Sequence, residues 1–275
     1  MNLIFRHKLF LVLHFFFISI AIFLLAVNLL GSVFPNKVNE AIALTKEHKN
    51  QLPFLNAKSA IKELESINTT EIDLEKFKKI NRIFASSIVH YWPTNKNFFS
   101  PFENWIIYSL QQIELLFSSK SLFSNIERFQ WRKILETGYG LCSQQALAIF
   151  DYLKERKIHS NIIGLNGHIV VGVRHGDEYY ILDPDYNVVI EAELSEIHKK
   201  KKNISKVYTS AGYSSETANT IEKIYTSAED NWIGTRFDYQ KKLGIFFIIS
   251  DILKWLFPLI LLLVALLGLY KHKKH

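Results

Sequence analysis

Cysteine is nearly absent from this chain, which has a single one, Cys142, among 275 residues. One cysteine permits no disulfide within the chain, so the cysteine content does not identify the redox compartment. Neither an internal repeat nor a low-complexity linker divides the sequence. The net charge is +7, but the basic residues are not interleaved with aromatic ones in a recognisable nucleic-acid-binding pattern. We therefore expect no nucleic-acid partner.

Long apolar runs are present only at the two ends. Residues 9–30 contain no charged side chain and reach the ~20 residues needed to cross a bilayer. This run is too long for the apolar part of a typical secretory signal, and no small-residue cleavage site follows it closely, so we interpret it as an uncleaved transmembrane helix. Residues 249–270 form a second candidate. Asp251 and Lys254 in its first part are costly at the bilayer centre, so we expect that part to lie in the interface; a buried core helix is the alternative.

Two spans would put both termini on the same side of the membrane. The basic tails 1–8 and 271–275 are typical of the cytoplasmic side. We therefore predict a protein of the cytoplasmic membrane with both termini in the cytoplasm. The domain between the spans, residues 36–242, would lie outside, in the periplasm or at the cell surface. Lysines such as Lys241 and Lys242 also flank the spans on the domain side, which leaves the reversed orientation as the alternative.

The middle of the chain combines helical and β patterns, which predicts an α+β domain. Apolar residues at helical spacing from Cys142 to Leu153 predict a helix that ends near Lys157. Two β-rich runs, 169–174 and 179–182, flank Gly176 and Asp177. This pattern is typical of a hairpin with glycine first in a two-residue turn.

The hairpin register brings polar side chains together at its open end. With a two-residue turn, Val171 faces Leu182, and one face of the hairpin is an apolar core face. On the other face, His168 and Asp183 occupy diagonal positions, within reach of each other. Asp185 lies directly opposite His168 in the same register, so the pattern alone does not choose between the aspartates. The two could also shape a turn, or help bind a hard cation, although such a cation prefers more oxygen ligands than this segment offers.

Cys142, His168 and Asp183 have the residue types of a nucleophile, a base and an orienting acid. A thiol at a helix N-terminus beside an imidazole is favoured as the thiolate, the reactive form. The carboxylate would hold the imidazole in the right tautomer. We predict that these three residues are catalytic. The alternative is that Cys142 is a small apolar core residue.

The segments GYGLCSQQA, GHIVVGV and YYILDPD resemble the core motifs of the transglutaminase-like superfamily, a papain-like group of cysteine enzymes. The resemblance covers roughly residues 130–190 and implies a central helix that bears the cysteine and packs on an antiparallel sheet. It favours Asp183 over Asp185. The family also uses an aromatic side chain upstream of the cysteine to help stabilise the oxyanion, for which Trp92, Trp105, Tyr108 and Trp131 are candidates. The matched residues are Gly140, Cys142, Ala146, Gly167, His168, Leu182, Asp183 and Pro184.

The resemblance implies acyl transfer or amide hydrolysis through a thioester on Cys142, of the transglutaminase, amidase or peptidase type, with no metal or other cofactor. Substrate choice depends on loops outside the motifs. A membrane-tethered domain that faces outward suits envelope proteins, peptides or amine-bearing polymers as substrates. The alternative is a catalytically silent binding or scaffolding module. A purely structural membrane protein would leave the order of Cys, His and Asp unexplained.

Overall fold

A computed structural model describes residues 3–33, 52–69, 72–90, 99–117, 123, 126–199, 202–227, 229 and 231–273. These residues combine ten helices with an antiparallel five-stranded sheet and a two-stranded parallel one, which confirms the α+β prediction. In chain order the elements are α1 (Leu3–Val33), α2 (Ala57–Glu65), α3 (Leu74–Ser87), β1 (Val89–His90), α4 (Pro101–Phe117), α5 (Trp131–Thr137), β2 (Tyr139–Gly140), α6 (Cys142–Glu155), β3 (Ser160–Leu165), β4 (His168–His175), β5 (Glu178–Asp183), β6 (Val188–Glu191), α7 (Leu194–His198), α8 (Ile204–Ser210), α9 (Ser215–Thr226), β7 (Trp232–Gly234) and α10 (Arg236–Lys273).

The chain forms two compact units. The terminal-helix unit comprises Met1–Asn36, Asn95–Ile126 and Ile245–His275, and the sheet unit comprises Lys37–Thr94 and Glu127–Gly244. Residues 95–126 lie inside the domain predicted between the spans, yet they group with the terminal helices.

Helices α1 and α10 run antiparallel within the terminal-helix unit. The rings of His7 and His272 lie 4.4 Å apart at one end, and the Asn28 side chain donates to the Lys254 carbonyl at 2.6 Å toward the other. The segments His7–Val33 and Lys242–Lys273 have the length and composition of membrane spans. They contain both of the predicted runs.

The two charged side chains early in the second span neutralise each other. Lys254 Nζ lies 2.5 Å from an oxygen of Asp251 and also donates to the Glu103 carbonyl at 2.9 Å. Paired charges that also meet backbone carbonyls are the form in which such residues persist in apolar helices.

The five-stranded sheet has the order β6-β5-β4-β3-β7, with every neighbour antiparallel. Val171 pairs with Leu182 and Val173 with Tyr180, which confirms the predicted hairpin register. Gly176 has a φ of 59° at the first turn position, as a glycine-first turn requires. The edge strand β7 follows no pattern that the sequence analysis recognised. Its Trp232 ring covers Gly164 so closely that a Cβ there would overlap it.

Both faces of this sheet are buried. On one face, α3 contributes Phe77, whose ring packs 5.2 Å from that of Tyr180, and α6 packs beside α3 against β3 and β4. On the other face, Val170 and Ile181 pack in a core with α7, α8 and α9. The sequence predicted only the first of these apolar faces. Because α7–α9 cover the second, His168 and Asp183 lie beneath helices rather than at an open edge.

Candidate active site

The start of α6 is fixed by the chain just before Cys142. Gly138 ends α5 in the left-handed conformation, with a φ of 74°. Strand β2 then pairs parallel with β1, so that His90 lies beside Gly140. A Cβ at Gly140 would overlap the Gln144 side chain. Glycine at this position therefore lets the chain turn directly into the first turn of the helix that carries Cys142.

The three side chains after Cys142 anchor that first turn. Ser143 donates to Glu127. The Gln144 amide accepts from the Arg128 N–H at 3.0 Å and donates to the Arg128 carbonyl at 2.8 Å. Gln145 donates to Asp185 at 2.7 Å. The helix has no side-chain N-cap, so these polar contacts hold the cysteine-bearing turn in place.

His168 joins the thiol to a carboxylate. It follows Gly167, whose φ of 82° turns the chain from β3 into β4. His168 Nε2 lies 2.8 Å from Asp183 Oδ2, and the Cys142 side chain is close enough to the ring to contribute to the raised pKa of His168. Cys142 is partly exposed, whereas His168 and Asp183 are buried.

Asp183 is saturated with hydrogen bonds. Besides His168, its Oδ2 accepts from the Tyr208 hydroxyl at 2.6 Å. Its Oδ1 accepts from the backbone N–H groups of Asp185 at 3.0 Å and Tyr186 at 3.2 Å. A fully buried carboxylate is costly unless it is paired and hydrogen-bonded, and here both oxygens are.

The environment of His168 favours its charged form. Burial lowers the pKa of the imidazole, but the charge and hydrogen bond of Asp183 outweigh that effect, and Cys142 adds to them. The pKa of His168 is therefore raised well above its ordinary value. A protonated imidazole at neutral pH stabilises a thiolate beside it and can return its proton to a leaving group.

Tyrosines surround the imidazole and its carboxylate. The Tyr186 ring packs edge-on against His168, with centroids 5.6 Å apart, and Tyr208 packs against Tyr186. Burial, with the negative charge of Asp183, raises the pKa of Tyr208 well above its ordinary value, so the phenol stays a neutral donor. Sequence reasoning missed Tyr208, since a lone tyrosine in a helical segment forms no motif.

The two aspartates serve different histidines. Asp183 bonds His168, whereas Asp185 lies 2.7 Å from His90 Nδ1 and accepts from Gln145. Asp185 is buried, and the His90 ring is about half-exposed, at 45%. The sequence analysis assigned no role to His90. The signal available for it was its polar side chain within an otherwise apolar run.

The aromatic candidates for oxyanion stabilisation lie elsewhere or outside the described residues. Trp131 is buried and donates to Glu155 at 2.7 Å, near the end of α6 opposite to Cys142. Trp105 and Tyr108 belong to the terminal-helix unit. Trp92 lies outside the described residues.

No protein-family model, curated protein or solved structure matches this chain. A cysteine at a helix start, an imidazole beside it and a buried carboxylate bonded to the imidazole are the residue types, in the order, that nucleophilic catalysis by cysteine requires.

Because the charged His168 ring lies beside Cys142 and a neighbouring cation makes a cysteine more reactive, we expect iodoacetamide to modify Cys142 quickly at pH 7. The rate should exceed that of a single cysteine in an unstructured peptide roughly tenfold. His168→Ala should remove most of this advantage. His175→Ala, at the exposed end of the same strand, is the matched control and should leave the rate unchanged. Equal rates in all three proteins would contradict the proposed pairing.

Tyr208→Phe removes one donor from a buried carboxylate. Hydrogen bonds to charged groups contribute about 1.5–3 kcal/mol, so we expect this variant to lower the thermal midpoint of the full chain in detergent. Tyr225→Phe is the matched control, because Tyr225 is equally buried and its hydroxyl lies 3.4 Å from that of Tyr208 rather than on Asp183. An equal loss in both variants would show that Asp183 gains nothing particular from Tyr208.

Proposed function

We propose that this chain is a membrane-tethered cysteine enzyme of the transglutaminase-like type, which transfers acyl groups or hydrolyses amides through a thioester on Cys142. The observation that carries the proposal is the position of His168, whose Nε2 lies 2.8 Å from the buried Asp183 and whose ring has the Cys142 side chain beside it. A histidine that only packed in the core would need neither a saturated carboxylate nor a thiol as partner.

In the proposed mechanism the Cys142 thiolate attacks the carbonyl carbon of an amide. The protonated His168 gives its proton to the departing amine, and a thioester on Cys142 remains. Water or a second amine then attacks the thioester, His168 takes the proton of the attacker, and the Cys142 thiolate leaves, which restores the starting pair of thiolate and protonated imidazole. Asp183 stays ionised throughout and holds His168 in the orientation that both steps need.

The arrangement of α6 supports the papain-like fold that the motifs suggest. The helix that begins at Cys142 packs on β3 and β4 of an antiparallel sheet. The base begins β4, and the acid ends β5. This is the order of parts that the resemblance implies, and we propose the fold on that basis.

The exposure of the site suits an acyl donor carried by a larger molecule. Cys142 is partly exposed, while the proposed base and acid are buried. A side-chain amide of a protein, a peptide bond in an extended segment or an acyl group on a polymer can reach such a thiol. We propose envelope proteins, peptides or amine-bearing polymers as the substrate class.

The proposed location follows from the two apolar helices and the charged tails. Antiparallel packing of α1 and α10, with His7 beside His272, supports a common side for both termini. Lysines and an arginine in the tails favour the cytoplasm for that side. The sheet unit would then act outside the cytoplasmic membrane.

The acid in the proposed triad can be tested by two matched substitutions. Asp183→Asn should lower turnover of an activated ester by about 10³–10⁴-fold, because the imidazole loses its orienting partner. Asp185→Asn should matter much less, since Asp185 holds His90 and Gln145 rather than His168. Steady-state kinetics on the full chain, with thermal melts alongside, measure both.

Intact-mass spectrometry provides the control for this experiment. Cys142→Ala should yield no acyl-enzyme adduct and should melt within a few degrees of the wild type. If Asp185→Asn abolishes turnover while Asp183→Asn is mild, the assignment of the acid is wrong. If the wild-type protein shows neither turnover nor an acyl-enzyme adduct, the site is a catalytically silent module.

The orientation is tested by reporter fusions. Because the tails are basic, alkaline phosphatase fused after Gly212 should be active, and the same reporter fused after His275 should be inactive. A cytoplasmic reporter at the same two points should give the opposite pattern. Activity of the phosphatase at His275 alone would reverse the proposed topology.

A further inference from the structure

Helix α4 of the terminal-helix unit exposes apolar side chains and buries polar ones. It is 17 residues long, and five of its six exposed residues are large and apolar, the sixth being Ser109. Leu116 is 77% exposed and Phe117 84%. The exposed apolar residues are Phe102, Ile113, Leu115, Leu116 and Phe117.

The buried face of α4 is the polar one. Asn104, Ile107 and Gln111 are its buried residues, at helical spacing. Asn104 donates to Ser250 at 3.2 Å, and Gln111 donates to the Phe123 carbonyl at 3.1 Å. A helix on the surface of a water-soluble protein has the opposite pattern, with its apolar stripe inward. The solvent that fits the outer face of α4 is therefore hydrocarbon.

The start of α4 is attached to both candidate spans. The backbone of Phe102 lies against Gly31 of α1, so closely that a Cβ at Gly31 would overlap the Phe102 carbonyl oxygen. The Trp105 indole donates to the Lys254 carbonyl of α10 at 3.4 Å and packs 6.0 Å from the Phe257 ring. Tryptophan is enriched where spans meet the membrane surface. The outer face of α4 thus continues the exposed apolar surfaces of α1 and α10.

We propose that α4 is a third membrane-contacting helix, whose Ile113, Leu116 and Phe117 lie among the lipid acyl chains beside the two spans. At 1.5 Å per residue, 17 residues extend about 25 Å, less than the ~30 Å hydrocarbon core. Asn104, at a φ of −155°, breaks the helical geometry near its start. The helix therefore enters one leaflet without crossing. This inference rests on the proposed membrane anchoring and places part of the predicted outer domain in the bilayer.

Lipid quenching of a fluorescent label tests this proposal in the full chain. In a Cys142→Ser background, single cysteines replace Leu116 in α4, Leu263 in α10 or Glu216 in α9, and each carries an environment-sensitive dye. Each protein is placed in nanodiscs of ordinary phosphatidylcholine or of phosphatidylcholine brominated along its acyl chains. We expect brominated lipid to remove most of the emission at positions 116 and 263 and none at 216. Bromines nearer the headgroup should quench position 116 more than position 263.

A second labelled position keeps the test decisive if Leu116→Cys disturbs the fold. Phe117→Cys, on the same face, should behave like Leu116→Cys. Quenching at 263 without quenching at 116 or 117 overturns the inference and leaves the anchoring intact. Blue-shifted but unquenched emission at 116 and 117 overturns it in favour of a protein partner or a second copy on α4. Absence of quenching at 263 overturns the anchoring and this inference together, and it leaves the chemistry of Cys142 unaffected.

Discussion

The hydrogen bond between the buried His168 and the buried Asp183 is the interaction on which the rest of the sheet unit depends. Taking an ion pair out of water costs several kcal/mol per ion, and its attraction offsets that cost only when the remaining lone pairs are satisfied. Both oxygens of Asp183 accept such additional hydrogen bonds. The chain turns sharply after Asp183, so that the N–H groups of Asp185 and Tyr186 reach one oxygen, and Tyr208 in α8 reaches the other.

The helices after β6 therefore have two functions. Their apolar residues close the second face of the sheet, where Val170 and Ile181 are fully buried. The same layer supplies the Tyr208 hydroxyl. The same helices thus cover the sheet and supply a hydrogen bond to Asp183. His168 is buried as a result, whereas Cys142, at the start of α6, is partly exposed.

The terminal helices obey the reverse rule. In the sheet unit the buried polar side chains of the site, such as His168 and Asp183, are paired with each other, whereas in α4 the amides of Asn104 and Gln111 face inward and leucines face outward. Asp251 and Lys254 neutralise each other on α10. Hydropathy alone placed the exposed apolar surface of the terminal-helix unit at residues 9–30 and 249–270, and the structure adds the outer face of α4 to it.

Local patterns in the sequence determined the β4–β5 register, the start of α6 and the two apolar ends, because side-chain alternation, glycine turns and hydropathy act over a few residues. They brought Cys142, His168 and Asp183 to one place and gave their roles as a hypothesis. Only the tertiary structure showed that Asp185 bonds His90, 95 residues away, and that Tyr208 donates a hydrogen bond to Asp183, 25 residues away. It also showed that α4 packs in the same unit as the terminal helices. Contacts at such separations leave no periodic trace in the sequence, since they depend on which surfaces the folded elements bury against each other.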